Sequence, residues 1–173
     1  MKKVILTAAM LLAVGFAAQA QLISKNAIGV RVNGDMDGVG AEASYQRGLG
    51  GINRLELDLG FRDYDHYDTA QLTGLIQWVW KVQGGFNGYA GFGAGFGSYH
   101  VGDRHFDNGN GNDDDYKRNG AFGLVAGNIG VEYLFNFPLQ VSIDFRPEVY
   151  FGNHDYRDRQ FAPDLGLSAR YRF

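Results

Sequence analysis

Ionisable side chains recur at every second position inside otherwise apolar stretches. They are Arg31, Glu42, Glu56, Asp58, Arg62, Lys81, Glu132, Asp144, Arg146, Glu148, Asp164, Arg170 and Arg172. Acids and bases are nearly balanced in the set. Three kinds of chemistry fit it: an ion-pair network, a narrow ion path, or a proton-transfer pair. Asp144 and Glu148 have the types an acid/base pair needs. Arg146 stands between them at the same parity, which suits a structural network better.

A second set of residues lies between the apolar stretches. Asp63, Asp65, His66 and Asp68 form one cluster; Asp103, His105, Asp107, Asp113, Asp114 and Asp115 form another; His154, Asp155 and Asp158 form a third. Oxygen-rich clusters of this kind suit divalent ions such as Ca²⁺, or ions bridging to lipopolysaccharide. NGNGNDDD lacks the Asp-first, Gly-sixth pattern of an EF-hand loop, so that motif is excluded. Arg104, Lys117, Arg118, Arg157 and Arg159 are interspersed and could meet lipid phosphates. No cofactor motif and no catalytic motif stand in the chain.

The elements that must position these residues are strands. In Leu139 to Gly152, LQVSIDFRPEVYFG, no odd position is polar and no even position is aliphatic. A period of two sustained this long is a strand with one face in an apolar medium and the other in a polar one. It exceeds the roughly 5–6 residues of a globular strand and suits a tilted bilayer crossing. Seven more such stretches are predicted: 27–33, 39–47, 54–62, 70–82, 86–99, 121–135 and 164–173. Leu75 and Val79 are exceptions to the alternation of the fourth. The fifth sets Gly91, Gly93, Gly95 and Gly97 on one face, where neighbours need room. Turns after the second, fourth and sixth strands are short; connections after the third, fifth and seventh are longer and charged. Pro147 lacks a ladder donor and is expected near the outer rim, at a bulge or where pairing with one neighbour stops.

The predicted fold class is therefore all-β, an eight-stranded antiparallel transmembrane up-and-down barrel with its apolar face outward. A soluble barrel with that face inward is the rival. Aromatics clustered at strand ends favour the membrane form, with Tyr45, Trp78, Trp80, Phe86, Tyr133, Phe135, Tyr171 and Phe173 at the periplasmic ends. Phe61, Tyr64, Tyr67, Tyr99, Tyr150 and Phe151 are assigned to the outer ends. An eight-stranded interior is only wide enough for side chains to fill, and uncompensated buried charge costs several kcal/mol. A lumen closed by a charge network is thus expected, and a small porin-like channel is the alternative.

Totals agree. Residues 1–20 combine Lys2 and Lys3, an apolar run and Ala18-Gln19-Ala20, the pattern of a secretory signal peptide; residues 21–173 are then the barrel domain. Cysteine is absent, so no disulfide framework is expected. The net charge of −3, more acidic without Lys2 and Lys3, argues against nucleic acid as a partner.

LGLSARYRF, with Leu165, Leu167, Ala169, Tyr171 and Phe173 at alternate positions, resembles the C-terminal signal of outer-membrane barrels. The chain from residue 21 onward resembles the small eight-stranded outer-membrane proteins of the OmpX and OmpA-barrel kind. The resemblance implies a bacterial outer-membrane location, recognition by the barrel-assembly machinery and contact with outer-membrane lipid. Some barrels of this size modify lipid A with a His and a Ser near the outer rim. Ser98 and His100 share a face there, but their order and surroundings match no family motif. The expected role is structural, adhesive or loop-mediated recognition rather than enzymatic.

Overall fold

In a computed structural model, residues 23–34, 38–64, 67–101, 118–152 and 160–173 are described, with side chains omitted at 62–68, 100–101 and 118–119. The signal-like segment, most outer connections and their three acidic clusters lie outside this description. Eight strands follow one another: β1 (Asn26–Gly34), β2 (Val39–Gly50), β3 (Asn53–Tyr64), β4 (Tyr67–Gln83), β5 (Phe86–Val101), β6 (Arg118–Leu134), β7 (Leu139–Gly152) and β8 (Phe161–Arg172). Each pairs antiparallel with the next, and β8 returns to β1 to close the barrel. The closure runs from Ala27 opposite Arg172 to Gly34 opposite Leu165. The predicted eight strands are all present, and β7 has the predicted bounds.

Period two sorts the side chains between two media. Along β7, Ile143 is 55% exposed while its neighbour Asp144 is 3% exposed. The outward band holds Val30, Leu59, Ile129, Ile143 and Leu167. An apolar exterior around a charged interior inverts a soluble fold; it matches a wall standing in hydrocarbon, with every strand paired so that no ladder faces lipid. The soluble rival therefore fails.

The two ends differ. At one, the turns are tight. Gly51 and Gly84 take positive φ there (60° and 57°), which a side chain would strain. Aromatic rings line this end in a series: Phe86 lies 4.7 Å from Tyr133, Tyr133 4.8 Å from Phe135, and Phe135 5.0 Å from Phe137. The opposite end carries the connections with the charged sequences. One of these is shorter than predicted. DYDHYD, residues 63–68, falls between the predicted third and fourth strands, 54–62 and 70–82, yet β3 and β4 stay paired out to Tyr64 opposite Tyr67. Once two strands are in register, continued backbone pairing overrides polar composition.

Two further expectations need correction, and one exception is placed. Tyr99 and Tyr150 do not belong to a lipid-facing girdle; both are buried, because their parity points them inward. Leu75 and Val79, the expected exceptions on the fourth strand, keep the parity of Thr73 and Gln77 and face the lumen, where both are fully buried. Pro147 lies in the middle of β7 rather than at its outer rim. Pairing with β6 lapses there: Ala126 pairs with Glu148 and Ile129 with Phe145, with no partners between. On its other side Pro147 faces Pro163. Two residues without an N–H thus share one level, confining the lost ladder bonds to one place.

The glycine stripe on β5 has the predicted cause. A Cβ at Gly93 would overlap the carbonyl oxygen of Gly74, and one at Gly97 would overlap the Phe122 ring. The strand lies too close to β4 and to the lumen side chains to carry any side chain there.

Candidate functional site in the lumen

Four arginines enter the lumen from separate strands. Arg31 on β1 gives Nη2 to Asp144 at 2.6 Å and to Asp164 at 2.5 Å. Its Nη1 reaches Glu42 at 3.3 Å. Arg146 on β7 gives Nη1 to the same Glu42 oxygen at 3.1 Å, and Nη2 to Asp58 at 2.5 Å and Glu56 at 3.2 Å. Glu42 therefore joins the two clusters. Arg170 on β8 completes this level, 3.3 Å from Glu56 and hydrogen-bonded to the hydroxyls of Ser44 and Ser142. A planar guanidinium with five N–H donors can serve several carboxylates at once, as a lysine ammonium cannot with the same geometry.

Arg54 on β3 anchors a second cluster toward the short-turn end. It donates to Glu132 at 2.6 Å and to the Gln77 amide oxygen at 2.8 Å, and its guanidinium sits 5.1 Å from the centre of the Tyr89 ring. Asn87 and Gln140 also donate to Glu132, at 3.1 and 2.8 Å. Gln140 donates to Gln46, whose own amide donates to Glu56, so amides link the two clusters.

Toward the opposite end, on the side from β4 to β8, the lumen turns apolar. Leu75, Tyr99, Phe122, Leu124, Ala126, Tyr150 and Ala162 pack together. The rings of Phe122 and Tyr150 are 5.4 Å apart. Glu148 borders this layer. It accepts from the Tyr150 hydroxyl and, at 3.4 Å, from the Gln71 amide.

Ten of the predicted lumen residues are buried here: Arg31, Glu42, Glu56, Asp58, Glu132, Asp144, Arg146, Glu148, Asp164 and Arg170. The side chain of Arg62 is outside the described residues. Arg172 does not join the network; it stays at the short-turn rim, donating to the backbone oxygens of Phe135 and Phe137 at 2.7 and 2.8 Å. Lys81 is exposed at the same rim, where a shift in register beside it releases β4 from strict alternation. Arg54 was missed, although it shares the parity of Glu56 and Asp58; the signal was present. The apolar layer was also missed, because apolar residues had been assigned to the outside.

These corrections change the charge balance. Among the described residues, the buried ionisable set is Glu42, Glu56, Asp58, Glu132, Asp144, Glu148 and Asp164 against Arg31, Arg54, Arg146 and Arg170. The lumen is formally acidic rather than neutral. No group of three or more His, Cys, Asp or Glu side chains among the described residues is placed to hold a metal. Ser98 is exposed on the outer wall, and the His100 side chain is outside the described residues. Leu165, Leu167, Ala169, Tyr171 and Phe173 all face outward, with Leu167 at 64% exposure.

The sequence matches no protein-family model and no curated protein. Solved structures share the fold. The N-terminal β-barrel domain of Pseudomonas aeruginosa OprF aligns with a TM-score of 0.64 at 12% identity, over 87% of this chain and 98% of that one. Neisserial surface protein A aligns with a TM-score of 0.63 at 11% identity, over 86% and 95%. Ail, the attachment invasion locus protein of Yersinia pestis, solved with the heparin analogue sucrose octasulfate, aligns with a TM-score of 0.56 at 14% identity, over 87% and 97%.

Proposed function

We propose that this chain is an integral protein of a bacterial outer membrane, with a lumen closed to solutes and with its outer connections as the interacting surface. The observation that carries closure is Arg146. It is 0% exposed at mid-barrel and bonded to three carboxylates from β2 and β3. A side chain so held leaves no room for a hydrated ion at its level. The apolar layer then stands as a second barrier, since bare ions do not cross apolar packing cheaply.

Outer-membrane residence rests on the exterior band, the aromatic rims and the shared fold. The short-turn end would face the periplasm and the charged connections the outside. The outward alternation ending at Phe173 would be what the barrel-assembly machinery recognises. The role is structural, adhesive or recognition-based, without catalysis. The outer connecting sequences, 34–39, 62–68, 101–119 and 153–160, hold twelve Asp against six Arg and Lys. That balance disfavours a polysulfated partner of the kind solved with Ail. It favours divalent ions, lipopolysaccharide bridged through them, or a cationic surface.

One observation favours a narrow cation path as the second reading: the acidic excess in the lumen. Conductance of the refolded chain in a planar bilayer decides between them. Closure predicts a silent membrane from protein shown folded by a heat-modifiable gel band. Discrete cation-selective openings would replace closure with the channel.

A further inference from the structure

The charged side chains of the short-turn rim are all basic. Lys25, Arg47 and Lys81 are exposed there, and Arg172 is half-buried. No Asp or Glu occurs among residues 23–27, 47–53, 79–87, 133–139 or 171–173. Among the described side chains every carboxylate is buried in the lumen. The rim cations thus have no acidic side chain of their own to pair with.

One of them is held in place. Asn26, Tyr45 and Arg47 lie at outward parity on paired β1 and β2. The Asn26 side-chain oxygen accepts from the Tyr45 hydroxyl at 2.9 Å and from Arg47 Nη1 at 3.0 Å. This fixes a guanidinium on the outer wall, at the border of the apolar band, with its other N–H groups free to turn to a ligand. Lys25 is beside it, its carbonyl accepting from Gly48 N at 3.0 Å.

Farther along β1, on the side away from β2, the wall carries a shallow, open depression. It measures about 600 Å³ and lies on the exterior of β1, β8, β7 and β6. Val30, Val131, Val141, Leu167 and Ala169 line it, and Phe86 and Tyr133 bound its short-turn end. Its volume falls in the roughly 300–1,000 Å³ range of ligand clefts. Val30 is four residues from Asn26 on the same face of β1, about 13 Å along the strand. An acyl chain whose headgroup sits at Arg47 would reach it.

We propose that this face binds one phospholipid with an anionic headgroup, its phosphate against Arg47 and Lys25 and one acyl chain in the groove. The proposal rests on the outer-membrane reading, which places this rim at the inner leaflet. Charge complementarity selects the occupant. A second copy of the chain would bring its own cationic rim against this one. A neutral lipid would leave the fixed guanidinium without an anion.

The test is native mass spectrometry of the full chain released from nanodiscs of mixed phosphatidylglycerol and phosphatidylcholine. The expected result is retained phosphatidylglycerol, reduced about tenfold in the double variant Lys25→Gln/Arg47→Gln. Ala169→Phe, which fills the groove and keeps every charge, should lower retention as well. Equal retention of both lipids, or double-variant retention equal to wild type, overturns the proposal. Displacement of the lipid by millimolar inorganic phosphate overturns the acyl-chain half, showing a free-phosphate site. A dimer abolished by Ala169→Phe assigns the groove to a second copy and overturns it too. Failure to insert into the nanodisc overturns the membrane reading itself; insertion without lipid preference overturns only this site.

Discussion

The two halves of the lumen solve the same problem differently. On the ionic level, Arg31, Arg146 and Arg170 are buried among carboxylates, and each charge depends on partners from other strands. On the apolar level, Phe122, Leu124 and Tyr150 fill the space by shape. Apolar packing degrades gradually: a lost methylene costs its transfer energy and a cavity. A charge network fails abruptly, because removing one partner strands the others in a medium that cannot solvate them. The ionic level also specifies more. Each bond has a direction and a named acceptor, so it selects one stagger of the strands, whereas apolar contacts tolerate several.

The contrast can be broken by substitution, with unfolding followed in lipid vesicles by urea titration. Arg146→Met deprives Glu42, Glu56 and Asp58 of a shared cation and should cost about 3–5 kcal/mol. An unchanged urea midpoint would mean that the network does not hold the barrel. Leu124→Ala, in the apolar level, should cost about 2–4 kcal/mol through its cavity. If it proves more damaging than Arg146→Met, the order of the two levels is reversed. Tyr150→Phe tests the seam between them. It deletes the hydroxyl that donates to buried Glu148 and keeps the ring, and should cost roughly 1–3 kcal/mol. No loss would show that the two levels are energetically separate.

Much of this barrel was legible beforehand. The eight strands, the outward Ile143 and the inward Asp144 follow from alternation, since successive side chains in a strand point to opposite faces. The room required opposite Gly93 and Gly97 could also be read from the stripe. Other features were not legible, for two physical reasons. Hydropathy reports that Tyr99 and Phe122 avoid water but not which dry region receives them. And strand ends escape strict parity: Lys81 follows the pattern of an inward residue yet emerges at the rim beside a register shift.

The sequence alone determined which residues share a face, because that depends only on neighbours two positions away. Tertiary structure alone decided which charges meet. Arg31 finds Asp144 across 113 residues, and Arg146 finds Asp58 across 88. Those meetings depend on how eight strands are staggered when β8 closes on β1. Stagger is set by all the pairings together, so no local stretch of sequence contains it.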